Sequence, residues 1–412
     1  MKFGLEGISR LLEVLDNPHE RFPSIHIAGT NGKGSTASML AAMFSSAGYR
    51  TGLYTSPHLV DFTERIRIDG RSIPRRAVAE LTGKLRRHIL RHQPTFFEAT
   101  TAIAFAWFAE KKVDIAIIET GLGGRLDSTN VVTPLVSVIT SIGYEHTDIL
   151  GRTIGKIAWE KAGIVKKGVP CVTGVEDPTA LRVLRQVCRE RNAPLHPLEK
   201  LRVSVHSESL KGTTVDVKAE GVRYKNLKLS LPGRFQIRNA ALALRTAGVV
   251  GKGGAFEISE RAIRAGLRTV QALTGLEGRL GLIQEKPRIV LDVAHNPDGV
   301  GKLVVALKAL AIKEVVLVFG VMKDKDHVAM LQLLEPLTRE VIAVAARTER
   351  SRSASDVAAS VSNPRIGVRA ALSVAEGVRL AIHRASPGRT ILVTGSHYVV
   401  GEALEILRAK RS

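Results

Sequence analysis

Eight residues near the start of the chain, Gly29-Thr30-Asn31-Gly32-Lys33-Gly34-Ser35-Thr36, combine three glycines, one lysine and three hydroxyls. They follow an apolar run, Ser24–Ala28, and open a helix-favouring segment, Ser35–Ala47, that ends at Gly48. Glycines let backbone N–H groups close on an anion, and a helix N-terminus adds to the attraction. Lys33 would bring a point charge to β- and γ-phosphates, and Ser35 or Thr36 a hydroxyl. This is the chemistry of an ATP phosphate loop. Its spacing is unusual, because Gly34 stands between Lys33 and the hydroxyl, where the pattern G-x-x-x-x-G-K-[ST] has none.

Phosphoryl transfer needs a divalent cation, so acidic and polar residues near the loop are the next candidates. Glu119 ends the apolar run Val113–Glu119, His146 follows Leu135–Ile142, and Ser56 lies just past Thr51–Thr55. If these runs are parallel strands, all three residues share the carboxyl edge with the phosphate loop, where α/β sheets bind ligands. Spacing alone leaves Glu119 an ion-pair partner or a ligand. It leaves His146 a general acid, a structural histidine or a ligand. Lys161, near the end of the segment Ile154–Ala162, reads as a surface cation suited to a helix C-terminus. Asp292, after the run Arg288–Val293, reads as a cap for the helix that follows.

Those residues need a scaffold, and the chain supplies an alternation of short apolar strands with amphipathic helices. Added to the segments above, Thr100–Glu110 and Asn239–Val249 read as helices, which argues for a largely parallel sheet covered on both faces. Residues 200–231 alternate in period two and predict an antiparallel excursion. Thr274–Arg279 reads as a linker, and beyond it Glu314–Phe319, Val341–Ala345 and Arg389–Thr394 continue a second α/β series. The expected architecture is α/β: an N-terminal P-loop-type, mostly parallel domain over 1–278 and a smaller Rossmann-like domain over 279–412.

Composition narrows the partners. The chain has 412 residues, a formal charge of +21 and two cysteines, Cys171 and Cys188. No apolar stretch is long enough to span a bilayer and no signal core opens the chain, so a cytoplasmic protein without a membrane partner is expected. The charge suits polyanions. Its denser runs, Lys84–His92 and Arg182–Arg191, interleave with apolar residues at helical spacing and read as solvated helix faces. Aromatics are only 4% and do not alternate with basic residues, which argues against a single-strand nucleic-acid binder.

The loop's extra glycine has a counterpart. G-T-N-G-K-G-S-T resembles the ATP loop of the Mur ligase superfamily, and within it the folylpolyglutamate synthase/dihydrofolate synthase family. The resemblance continues through Thr55-Ser56-Pro57-His58-Leu59, Thr63-Glu64-Arg65-Ile66-Arg67 and Glu119-Thr120-Gly121-Leu122-Gly123-Gly124-Arg125-Leu126-Asp127. It then takes in Glu145-His146-Thr147, Glu160-Lys161-Ala162-Gly163-Ile164 and Leu291-Asp292-Val293-Ala294-His295-Asn296-Pro297.

The resemblance implies ATP at Gly29–Thr36, with Asn239, Arg279 and Asp292 as further nucleotide contacts. It implies Mg²⁺ at Ser56, Glu119 and His146, with room for a second Mg²⁺ and a K⁺ ion, and a carbamylated Lys161. Lys33, Lys161 and His295 become the catalytic set, His295 placing the incoming glutamate or the acyl phosphate. Phe3, Gly4, Leu5, Phe97, Glu98, Leu126, Asp127 and Ser128 correspond to pteroate or folate contacts, although Phe97 also reads as core packing. With two residues ahead of Phe3, the family's helical leader is expected to be missing.

The implied reaction joins L-glutamate to the carboxylate of dihydropteroate or a reduced folate through an acyl phosphate, in a monomer. Two rivals remain. A muramoyl-peptide ligase would need a UDP-binding domain, for which a loop at residue 29 leaves no room. A P-loop ATPase stimulated by nucleic acid would account for the charge.

Overall fold

The computed structural model describes residues 4–385 and 388–409. Its largest sheet has eight strands, in the order Arg71–Ser72, Ile66–Ile68, Thr51–Tyr54, Ile115–Glu119, Ser24–Ala28, Val136–Ile139, Cys171–Thr173, Leu195–Pro197. The last six are mutually parallel, and the first two form an antiparallel edge. The central strands Ser24–Ala28 and Ile115–Glu119 are buried at every position, as parallel strands covered on both faces require. Helix Lys33–Ser46 packs over them with eleven of its residues, Gly34 to Phe44, buried.

The period-two segment forms an antiparallel sheet of three strands, Arg202–Ser209, Gly212–Ala219 and Val222–Leu229. Val215, Val217, Leu227 and Leu229 close it onto the core beneath helix Lys33–Ser46. A third, six-stranded sheet runs Gly281–Glu285, Arg288–Leu291, Thr390–Thr394, Val315–Phe319, Thr338–Ala343, Gly367–Ala370. All but its first strand are parallel. That first strand is a hairpin arm absent from the sequence expectation, because its polar and apolar residues carry no run long enough to register.

Two helix starts differ from expectation by four residues or more. The helix expected from Thr100 begins at Phe96, because Thr95 and Glu98 form a reciprocal capping box at its N-terminus. The helix expected from Asn239 begins at Arg234, so Asn239 sits in its second turn. The basic runs lie on helices Arg75–His92 and Pro178–Glu190, which bury only Ala77, Leu81 and Leu85, and Ala180, Leu184, Val187 and Cys188. Their charges face solvent, as read from the sequence. Among the described residues no helix is long and apolar enough to cross a membrane.

Candidate active site

Parallel pairing brings the strand ends together. Ile27 is in register with Glu119, Ala28 with Ile139, and Tyr54 with Ile118. In the six-stranded sheet Phe319 is in register with Ala343 and with Thr394, and Leu291 ends one residue lower, beside Val393. The carboxyl edges of both sheets open on one cleft of about 790 Å³, lined by the phosphate loop, Ser56, Glu119, His146, Lys161, Arg279 and Asp292 among others.

Two of the loop's glycines are required where they stand. Gly29 has φ +151° and Gly32 φ +89°; a Cβ would lie 1.9 Å from Thr140 Oγ1 at the first and 2.5 Å from Asn239 Oδ1 at the second. The hydroxyls of Thr140 and Ser141 donate to Asn31 O at 2.8 and 2.9 Å, tying the loop to the neighbouring strand end. Lys33 Nζ donates to Gly29 O (3.0 Å) and Thr30 O (3.2 Å), which holds its charge over the loop. Ser35 lines the cleft, and its hydroxyl accepts from Gln236 Nε2 at 3.2 Å. Thr36 does not line it. One residue further on, its side chain is turned about 100° round the helix into the core, where Oγ1 has no hydrogen-bond partner among the described residues. At Gly34 a Cβ would stand 3.5 Å from Glu119 Oε2 and 3.6 Å from Arg279 Nη2, so the extra glycine keeps the space between these groups clear.

Glu119 is 4% exposed and accepts from Ser56 N at 3.1 Å. Burial pushes its carboxyl above the usual carboxylate range, against the charges of Lys33, Arg279 and Arg65. His146 has a left-handed backbone, φ 49°. Burial, then the charge of Lys325, lowers its pKa to about 4, leaving a neutral imidazole with a lone pair to share. Among the described residues no three His, Cys, Asp or Glu side chains form a metal cluster. A Mg²⁺ ion nonetheless fits the donors present: a carboxylate with one oxygen engaged, a hydroxyl and a neutral imidazole, with phosphate and water oxygens completing the shell.

Lys161 departs from the surface reading. It is 2% exposed, and its Nζ donates at 2.8 Å to Gly29 O, the carbonyl that Lys33 also uses. Burial and then the Lys33 charge lower its pKa to about 7. An amine that is substantially neutral near pH 7 is the form that reacts with CO₂ to give a carbamate.

Across the cleft, Asp292 is buried and accepts from Leu280 N (2.8 Å) and Ala294 N (2.9 Å). It does not cap the following helix. Asn296 does, accepting from Gly299 N at 2.7 Å. Asp292 instead holds the turn that presents Arg279 and His295. Asn239 donates to Gln236 Oε1 at 2.9 Å and lines the cleft from the side of helix Arg234–Lys252.

His295 Nδ1 donates to Val293 O (2.9 Å), its Nε2 lies 3.1 Å from Glu145 Oε1, and its ring packs 5.1 Å from that of His397. Glu145 directly precedes His146 in the chain, but its residue type and spacing alone do not mark it as a functional group. Asn296 Nδ2 also reaches it, at 3.5 Å. Burial pushes Glu145 up, but the His295 hydrogen bond and the charges of Lys33 and Lys161 hold it well below the usual carboxylate range. With Asn31 Nδ2 donating to Asp298 Oδ2 at 2.6 Å, these contacts join the two sheets' edges.

Of the expected pteroate contacts, Phe97, Leu126, Asp127 and Ser128 line the cleft. Asp127 is largely engaged with its own loop, accepting from Leu122 N (2.8 Å) and from Thr129 N (3.0 Å) and Oγ1 (2.5 Å). Glu98 is placed elsewhere: its carboxylate accepts from Thr95 N at 2.6 Å as a helix cap. Gly4 and Leu5 lie outside the cleft lining, Leu5 packing against the core with Ile8 and Leu12. Phe3 lies outside the described residues.

Comparison with known proteins gives the family. Residues 27–247 match the Mur ligase middle domain and residues 278–397 the Mur ligase glutamate ligase domain. The chain is 38% identical over 419 residues to the dihydrofolate synthase/folylpolyglutamate synthase of Bacillus subtilis, covering 99% of this chain and 96% of that one. The structure of Escherichia coli FolC in complex with DHPP and ADP is similar with a TM-score of 0.88 at 32% identity, covering 100% of this chain and 95% of that one. Mycobacterium tuberculosis folylpolyglutamate synthase, solved with ADP and AMPPCP, gives 0.87 at 33% identity, covering 98% and 95%. The chain therefore belongs to the dihydrofolate synthase/folylpolyglutamate synthase family of the Mur ligase superfamily.

Proposed function

We propose that the protein joins L-glutamate to the carboxylate of dihydropteroate, of reduced folates, or of both, with ATP as the phosphoryl donor. One observation carries the reading: a phosphate loop, a buried carboxylate and a buried lysine of lowered pKa meet in a single cleft whose opposite wall carries Arg279, Asp292 and His295.

A carboxylate is a poor electrophile, so the reaction proceeds in two steps. A substrate carboxylate oxygen attacks the γ-phosphorus of ATP, and the β–γ bridge bond breaks to release ADP. The amine of L-glutamate then attacks the acyl carbon, and inorganic phosphate leaves with the electron pair of the C–O bond. Residues Gly29–Ser35 cradle the phosphates. Lys33 and Arg279 offset the charge that grows on the transferred group. Asn239 and Asp292 contact the nucleotide, and His295, steadied by Glu145, places the glutamate or the acyl phosphate. Phe97, Leu126 and Ser128 face the pterin-bearing substrate.

Ser56, Glu119 and His146 would hold Mg²⁺, which supplies charge neutralisation at the phosphates. A carbamate on Lys161 would add a carboxylate beside them. The division of labour follows the proposed units, 1–278 for ATP and pterin and 279–412 for glutamate. One chain builds the whole cleft, which supports a monomer as the working unit, and two free, buried cysteines suit the cytoplasm.

The test is incorporation of labelled glutamate with dihydropteroate and tetrahydrofolate offered separately, alongside phosphate release. Glutamate-dependent release with either pterin is expected. Release stimulated by DNA or RNA and by neither pterin would overturn the reading.

A further inference from the structure

Arg65 is a cation that the reaction outlined above leaves without a task. It is 8% exposed and lines the cleft beside Ser56, Pro57 and Phe97. Its Nε donates to His58 Nδ1 at 2.8 Å, and burial, then the Arg65 charge, lowers the His58 pKa, as fits an imidazole that accepts. The guanidinium stands 5.4 Å from the centroid of the Phe96 ring, which Phe62 braces edge-on at 5.9 Å. The fork is thus held on two sides, and its two terminal nitrogens have no hydrogen-bond partner among the described residues.

No carboxylate meets the guanidinium directly, although the charges of Glu119 and Glu64 act on it from further off. Glu64, the preceding residue, is engaged by the backbone N–H groups of Leu59, Val60 and Asp61. Glu119 is held by Ser56 N, and no carboxylate of the described residues lies within ion-pair distance of Arg65. A buried guanidinium with no carboxylate in contact is costly, and its free terminal pair matches a carboxylate end-on.

We infer that Arg65 is the receptor for a non-reacting carboxylate of the glutamyl substrates. This rests on the proposed ligase reading. Two sources carry such a group: the α-carboxylate of the terminal glutamate of a folate, and a carboxylate of incoming L-glutamate. Dihydropteroate has no such group, since its single carboxylate is the one that reacts. Arg65 therefore separates the two acceptor classes if it holds the folate, and treats them alike if it holds free glutamate.

The experiment is steady-state kinetics of the full chain and its R65A and R65K variants, with dihydropteroate and with tetrahydrofolate. R65A is expected to raise one KM by about 10- to 100-fold, the scale of a charge-assisted bidentate contact. A rise confined to tetrahydrofolate identifies the folate carboxylate; a rise in the glutamate KM with both acceptors identifies the amino acid. R65K keeps the charge without the fork and should fall between, which also covers an R65A chain that does not fold. Variants that keep their ATP affinity and every KM within about twofold of the parent overturn the subsite. A parent chain that incorporates no glutamate with either acceptor fails the ligase reading before Arg65 is tested.

Discussion

Lys161 is the residue whose surroundings most change its chemistry. Its pKa in the folded protein is lowered from 10.5 to about 7, so between those values the folded state binds fewer protons than the unfolded one. Stability then rises with pH across that window, and the penalty of a buried ammonium is complete below it. Lys161→Met should be inactive, yet more resistant to urea than the parent at about pH 6 in CO₂-free buffer, with the gain fading by about pH 10. A gain that stays constant with pH would count against a titrating amine.

Glu145 makes the complementary case, a carboxylate valued for what it holds. Glu145→Gln and His295→Ala should each lower kcat. Because the pair is in contact at 3.1 Å, a double-mutant cycle should show a coupling of about 1–3 kcal/mol. Independent effects would mean that the contact does not matter to turnover.

At the scale of elements, the phosphate loop works because a strand ends, a turn reverses and a helix starts within a few residues. Gly29→Ala would force a Cβ to 1.9 Å from Thr140 Oγ1 at φ +151°, so loss of ATP binding and a cost of about 2 kcal/mol or more are expected. Gly34→Ala meets only ordinary contacts, at 3.5 and 3.6 Å. It should fold normally and show its defect in turnover, because its methyl enters the space beside Glu119. Thermal melts paired with an ATP-binding titration separate the two outcomes.

The hairpin tip between Arg202–Ser209 and Gly212–Ala219 joins the two halves away from the cleft. Leu210 packs against the core of the six-stranded sheet, while Lys211 pairs with Glu285 at 2.9 Å on the surface. Leu210→Asp should loosen this docking and lower the melting temperature. Lys211→Ala should leave the melting temperature almost unchanged, since exposed ion pairs contribute little.

For the molecule as a whole, the charge of +21 is spread over solvated helix faces, and its expected role is in attracting anionic ATP and glutamylated substrates. Their KM values should rise with ionic strength, which a salt series with a neutral osmolyte control would check. Much of the design was legible in the sequence. Strand Ser24–Ala28, the loop after it and helix Ile154–Ala162 were visible because hydrophobic period and glycine placement are local properties of the chain. So were the period-two strands of residues 200–231, and Glu119 at the end of its run. What the sequence could not weigh was burial. By spacing alone Lys161 reads as a surface cation and Thr36 as a loop hydroxyl, and the resemblance makes Glu98 a substrate contact, whereas packing makes Lys161 a buried amine, Thr36 a core side chain and Glu98 a helix cap. Glu145 and Arg65 carried no distinguishing local signal, because what marks them is the partner each has, or lacks, across the cleft. The sequence by itself determined the kind of chemistry and the strand ends that bear it. Only the tertiary structure decided which charges lie out of water and face one another, since desolvation and pairing depend on segments far apart in the chain.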